Sequence, residues 1–119
     1  RLTLRGSTIT ATAAMDDARL SGDFVWTVSI DEFPQPDTDQ RVEVHWGEAT
    51  ITNADGSWSG TWTSTYDSSQ FPEEVDLILF ELTGTGAYDG LSALLSWTGA
   101  GFGGAVFPGP VPPDSAYGE

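Results

Sequence analysis

The chain has 119 residues, enough for one buried core and too few for two, and it carries 18 Asp and Glu against 4 Arg and no Lys, a formal charge of -14. Such a charge repels phosphate backbones and anionic lipid head groups, which argues against nucleic-acid and membrane partners. The absence of Cys removes disulfides, thiolate metal sites and Cys nucleophiles.

The first residue is Arg1, and no charged n-region, apolar h-region or cleavage site follows. This reads as a processed precursor in an extracellular or cell-surface setting, with a cytoplasmic one left open. The uncharged stretch Gly90–Phe107 is broken by glycines, serines and threonines and is no membrane span. The apolar pattern has period two almost throughout, punctuated by Gly, Pro, Asp and Ser, which predicts an all-β chain of about seven or eight short strands.

In chain order, the first strand runs from Leu2 to Ala13, and a bulge is expected to split either this strand or the third. The second, Leu20 to Ile30, places Leu20, Gly22, Phe24, Trp26, Val28 and Ile30 on one face. Two prolines and two aspartates make Phe33 to Asp39 an exposed loop. In the third, Arg41 to Asn53, the set Val42, Val44 and Trp46 claims the core, leaving Glu43, His45 and Gly47 on the outer wall. Asn53-Ala54-Asp55-Gly56 is a hairpin turn in which Asp-Gly supplies the positive-φ positions. The fourth, Ser57 to Tyr66, has Trp58, Gly60, Trp62, Ser64 and Tyr66 on one face and only Ser and Thr on the other.

Asp67 to Val75 reads as a loop, and no segment has helical spacing. The fifth strand, Val75 to Gly84, is apolar on both faces, with Leu77 and Leu79 opposite Ile78, Phe80 and Leu82; such a strand needs a second cover, and a copy of the chain would supply it. Leu91 to Trp97 and Phe102 to Phe107 complete the set. Residues 1–107 thus form one domain, and 108–119 a Pro-rich arm that packs along its own barrel or reaches a neighbouring subunit. Glycines inside strands at Gly22, Gly60, Gly84, Gly86, Gly103 and Gly104 imply sharp bending, so a small antiparallel barrel is expected, with a β-sandwich as the alternative.

Asn53 to Trp62 and Leu82 to Leu91 resemble a pair of motifs in small bacterial proteins of the allene oxide cyclase barrel type, which share a calycin-like barrel with dirigent proteins and spirotetronate cyclases. The likeness covers the middle third to half of the chain and is carried by turn and glycine positions, which specify fold better than chemistry. It implies a barrel that holds an apolar small molecule, frequent oligomers, and activity as a cyclase in some members only. No catalytic set transfers residue by residue.

Several residues are candidates for chemistry. His45 is the only imidazole, so any His-based step passes through it, with Glu43 as its neighbour on the strand face; the competing reading is an exposed polar pair. Glu81 interrupts an apolar run; facing the lumen, it would have a raised pKa and act with Tyr66 as a proton-transfer pair, whereas at the rim it is a plain strand-end carboxylate. Phe24, Trp26, Trp46, Trp58, Trp62, Phe80 and Trp97 are the expected ligand-lining aromatics, in a chain with five indoles; the same rings also suffice simply to fill a small core. One His and no Cys leave zinc without its usual ligands, the acidic loops suit at most weak Ca²⁺ binding, and Gly84-Thr85-Gly86 lacks the helix and basic residue of a phosphate cradle; no cofactor or metal is expected.

Two functions follow: a non-catalytic module that binds a small apolar molecule or self-associates through Leu77, Leu79 and the arm, or a cyclase or isomerase using Glu81, Tyr66 and His45. A lumen of about 300 Å³ or more containing a carboxylate would favour the second. Charge collects in loops 31–39 and 67–76 and at the end, so screening by salt is expected to strengthen self-association.

Overall fold

In a computed structural model that describes residues 3–34, 41–67, 78–98 and 101–111, the chain is all-β. Seven antiparallel strands form one sheet in chain order: β1 (Thr3–Ala13), β2 (Gly22–Pro34), β3 (Arg41–Thr52), β4 (Gly56–Asp67), β5 (Ile78–Gly86), β6 (Leu91–Thr98) and β7 (Gly101–Pro108). Every neighbour in the sheet is a neighbour in sequence, so only hairpin connections are needed. Pro34 ends β2, so Phe33 and Pro34 belong to the strand rather than the expected loop; residues 35–40 and 68–77 lie outside the described residues.

The sheet curls around a single core. Phe24 of β2 lies 5.4 Å from the ring of Phe80 on β5 and 6.2 Å from Phe102 on β7, so the first strands fold over to face the last ones. Closure is not complete: among the described residues β1 and β7 form no ladder and stand as the two edges. The architecture therefore lies between the two expected forms, a curled sheet with sandwich-like layering. The expected bulge is in β1, where the register slips between Leu4 and Ser7 and Gly6 takes φ 65°.

The core contains Leu20, Phe24, Val28, Ala49, Ile51, Trp58, Trp62, Phe80, Leu82, Tyr88, Ala93 and Leu95. One end is shut by the segment before β2. There Asp17 caps a single 3₁₀ turn, Ala18–Leu20, by accepting from the Arg19 N–H at 3.0 Å, and Leu20 drops into the core. The Trp58 indole N–H donates to the Arg19 carbonyl at 2.8 Å and stacks on Tyr88 with ring centres 4.9 Å apart. Asn53 ties this end together, donating to the Arg19 and Ser21 carbonyls and accepting from the Tyr88 hydroxyl at 3.0 Å. The β3–β4 turn also depends on Asn53, whose Oδ1 accepts from the Asp55 and Gly56 N–H groups. Gly56 does not adopt positive φ, so side-chain capping replaces the expected Asp-Gly geometry.

Register overturns one face assignment. Ile51 pairs with Trp58, both fully buried, and the β3–β4 ladder then runs without a bulge to Val42 opposite Asp67. With period two and no bulge, the buried parity of Ile51 and Ala49 carries through Gly47, His45, Glu43 and Arg41. Val42, Val44 and Trp46 therefore face outward, and the polar residues face the concave side. Trp46 is covered from outside by Arg5, whose guanidinium sits 5.1 Å above the ring and 3.8 Å from Asp31.

Candidate functional site

Along the concave face, small residues alternate with large ones, and this makes room. Gly47 lies across β3 from Trp62, and its missing side chain lets the indole N–H reach over β3 to the Thr27 carbonyl at 2.7 Å. That bond holds Trp62 flat against the sheet, tilted on Phe80 at 5.9 Å. Beyond it, Trp26, Trp62, Ile78, Phe80, Trp97 and Phe102 bound a cavity of about 260 Å³. A second space of about 250 Å³ shares Trp26 and Phe102 and continues past Phe24 to Ala11–Asp16, in the seam between the two sheet edges. Phe102 is 45% exposed, so the aromatic interior communicates with solvent through that seam.

At the end of the concave face away from Leu20 the lining becomes polar. His45 Nε2 lies 3.0 Å from Glu43 Oε1, and Arg41 Nε donates to Glu43 Oε2 at 2.8 Å and reaches Glu32 at 3.2 Å. The Arg41 guanidinium stands over Tyr66 at 5.6 Å. Burial works against ionising Glu43, but the hydrogen bonds from Arg41 and His45 outweigh it and hold the carboxyl below its usual range. Glu43 thus contributes stability that is present above its unfolded pKa and lost as pH falls through the lower folded one. In melting experiments the advantage of the native chain over Glu43→Gln should be full at neutral pH and shrink below about pH 4; a gap unchanged down to pH 2 would contradict this.

The predicted residues divide. Trp26, Trp62, Phe80 and Trp97 line the cavity, Phe24 borders the seam, and Trp58 is entombed at the closed end. Trp46, expected among the lining residues, is on the convex face and does not line the cavity. His45 and Tyr66, expected on the outer wall and in the lumen respectively, share the concave polar patch. Glu81 pairs with Thr61 and Leu94 and alternates with the buried Phe80 and Leu82, so it faces outward and not into the lumen. Thr61 and Tyr66 are five residues apart on β4, roughly 16 Å by strand rise, so Glu81 and Tyr66 cannot act together.

The convex side carries its own grooves. One of about 580 Å³ runs between β4–β6 and residues 109–111, lined by Thr61, Glu81, Thr83, Asp89, Ser92 and Pro110 among others. The start of the Pro-rich arm folds onto its own sheet there: Gly109 N–H donates to the Gly90 carbonyl and the buried Ser92 hydroxyl donates to the Gly109 carbonyl. Leu79 faces this side, half-buried, beside Thr61, Thr63 and Glu81. Leu77 and residues 112–119 lie outside the described residues.

Fold and site together define a class: a small curled antiparallel meander whose concave face holds an aromatic cavity bordered by a polar patch. Within that class no particular relative emerges, for the chain matches no family model, no curated protein and no solved structure.

Proposed function

We propose that this protein is a non-catalytic module that binds one small apolar molecule on its concave face. The observation that carries the reading is the cavity of about 260 Å³ bounded by five indole and phenyl side chains together with Ile78. Burying apolar surface there is worth about 25 cal/mol per Å² removed from water, and aromatic walls favour a flat body. The likeness of Asn53–Trp62 and Leu82–Leu91 to allene oxide cyclase barrel proteins supports the same reading.

Calorimetric titration with naphthalene tests it. The native chain should bind one equivalent, and Ile78→Trp, which fills the space, should weaken binding by about tenfold or more while the protein still melts cooperatively. Retention of full affinity in Ile78→Trp would refute the location.

The second reading, a cyclase or isomerase, is favoured by one feature: the 3.0 Å His45–Glu43 pair on the same face. It is the weaker one, because among the described residues no carboxylate lines the cavity itself and Glu81 is on the other side of the sheet. Isomerisation leaves mass unchanged, so the readout is chromatographic. A ligand released after incubation with unaltered retention supports binding alone, and a shifted retention at equal mass supports turnover.

A further inference from the structure

Ser64 is 93% buried, being 7% exposed, and among the described residues its hydroxyl finds no hydrogen-bond partner. Leaving a buried hydroxyl unpaired is costly, and native structures seldom do so without a reason. Its surroundings supply one. Ser64 shares the concave face with Trp62 and pairs across the ladder with Ile78, both of which line the cavity, and on its other side with His45 of the polar patch, so in the sheet it lies between the two.

His45 presents a complementary group. Glu43, held ionised, can only accept, so the proton between them belongs to Nε2. In the neutral ring Nδ1 then keeps its lone pair, and no described residue engages it. A donor at Ser64 and an acceptor at His45 lie on cross-strand neighbours, whose Cβ atoms stand about 5 Å apart. One hydroxyl group placed between them can accept from Ser64 and donate to Nδ1.

Resting on the apolar-cavity reading above, we infer that the ligand is a neutral molecule with an apolar, preferably aromatic, body and a single hydroxyl head, an alcohol or phenol, the head seated between Ser64 and His45. The local charge excludes the anionic counterpart: Glu32 and Glu43 outnumber Arg41, so a carboxylate head meets net negative charge. Naphthalene, 2-naphthol and 2-naphthoate share one body and separate these cases.

Calorimetry on the full chain should show 2-naphthol bound about fivefold more weakly by Ser64→Ala and by His45→Phe than by the native protein, with naphthalene affinity the same in all three. The native chain should also bind 2-naphthoate about tenfold more weakly than 2-naphthol. Without ligand, Ser64→Ala should melt at the native temperature or above, since it removes an unpaired hydroxyl; a serine kept for structure would lower it. Unchanged 2-naphthol binding in Ser64→Ala, equal losses for naphthol and naphthalene, or tightest binding of naphthoate would each overturn the inference. Naphthalene binding that survives with any of these results leaves the cavity reading standing, whereas failure of both naphthalene and naphthol removes the two together.

Discussion

Replacing Gly47 with alanine should cost about 3–5 kcal/mol, a large part of the stability of a domain this size. A Cβ built there lies 1.9 Å from the Thr27 carbonyl oxygen and 2.8 Å from the Trp62 indole nitrogen. The first contact is with backbone, which cannot swing aside as a flexible side chain would. The second strikes the hydrogen bond that crosses over Gly47 at 2.7 Å. Relief requires β2 and β3 to separate where their ladder is already interrupted between Trp26 and Ser29, so both the sheet and the cavity wall are damaged. The melting temperature should fall by roughly 10–20 °C. Gly103→Ala is the control: the nearest atom to a Cβ at that position is the Ser96 hydroxyl at 3.8 Å, and the change should be within about 1 kcal/mol of neutral. Equal melting curves for the two variants would show that the close approach at Gly47 is unimportant.

Trp58→Ala should be comparably severe, about 3–5 kcal/mol by the usual cost of deleting a large buried ring. Trp58 is fully buried, stacks on Tyr88 with an interplanar angle of 14°, and donates to the Arg19 carbonyl. Three separate stretches of chain meet on this indole, so its loss should loosen the closed end as well as leave a cavity. Trp58→Phe keeps the stack and should cost less, because Asn53 still donates to the Arg19 carbonyl at 3.2 Å. Amide exchange gives a second readout: Leu20 and Ser21, whose N–H groups are bonded within the plug to Asp17 and Ala18, should lose protection in Trp58→Ala before β5 and β6 do. Uniform loss across the sheet would argue against a separate closing element.

Strand existence was legible because it depends on local alternation. Trp58, Trp62, Ser64 and Tyr66 do share one face, and β4 needed no tertiary information for that. In β3 the same rule pointed both ways. Val42, Val44 and Trp46 are apolar at even positions, while Ala49 and Ile51 are apolar at odd ones, and an unbulged strand can bury only one parity. Pairing of Ile51 with Trp58 decided the matter, and it brought Glu43 and His45 inside. The conflict of phase was visible in the sequence, although its outcome was not. In β5 a similar conflict between Leu79 and the set Phe80 and Leu82 resolved in favour of the latter, taking Glu81 out of the lumen.

Gly47 shows the other limit. Position within a strand marks the glycines expected to bend the sheet, and by alternation alone Gly47 is only a member of an outer face. Its role arises from a side chain on the next strand reaching over it to a carbonyl on the one before, a three-strand event with no trace in any one segment. Ser64 is alike: a serine between two aromatic positions says nothing until its neighbours are known to leave its hydroxyl unpaired.

By itself, then, the amino-acid sequence determined an all-β chain, the order and approximate limits of its strands, the position of the main turn and the want of any Cys chemistry, since all of these follow from composition and from a two-residue period. Only the tertiary structure decided which parity of β3 and β5 is buried, that the sheet curls without β1 and β7 pairing among the described residues, and that an aromatic cavity lies beside a polar patch. Those properties belong to pairs of strands, and their energies are set by register, by the space a glycine leaves and by whether a buried polar atom finds a partner, none of which a single strand can specify.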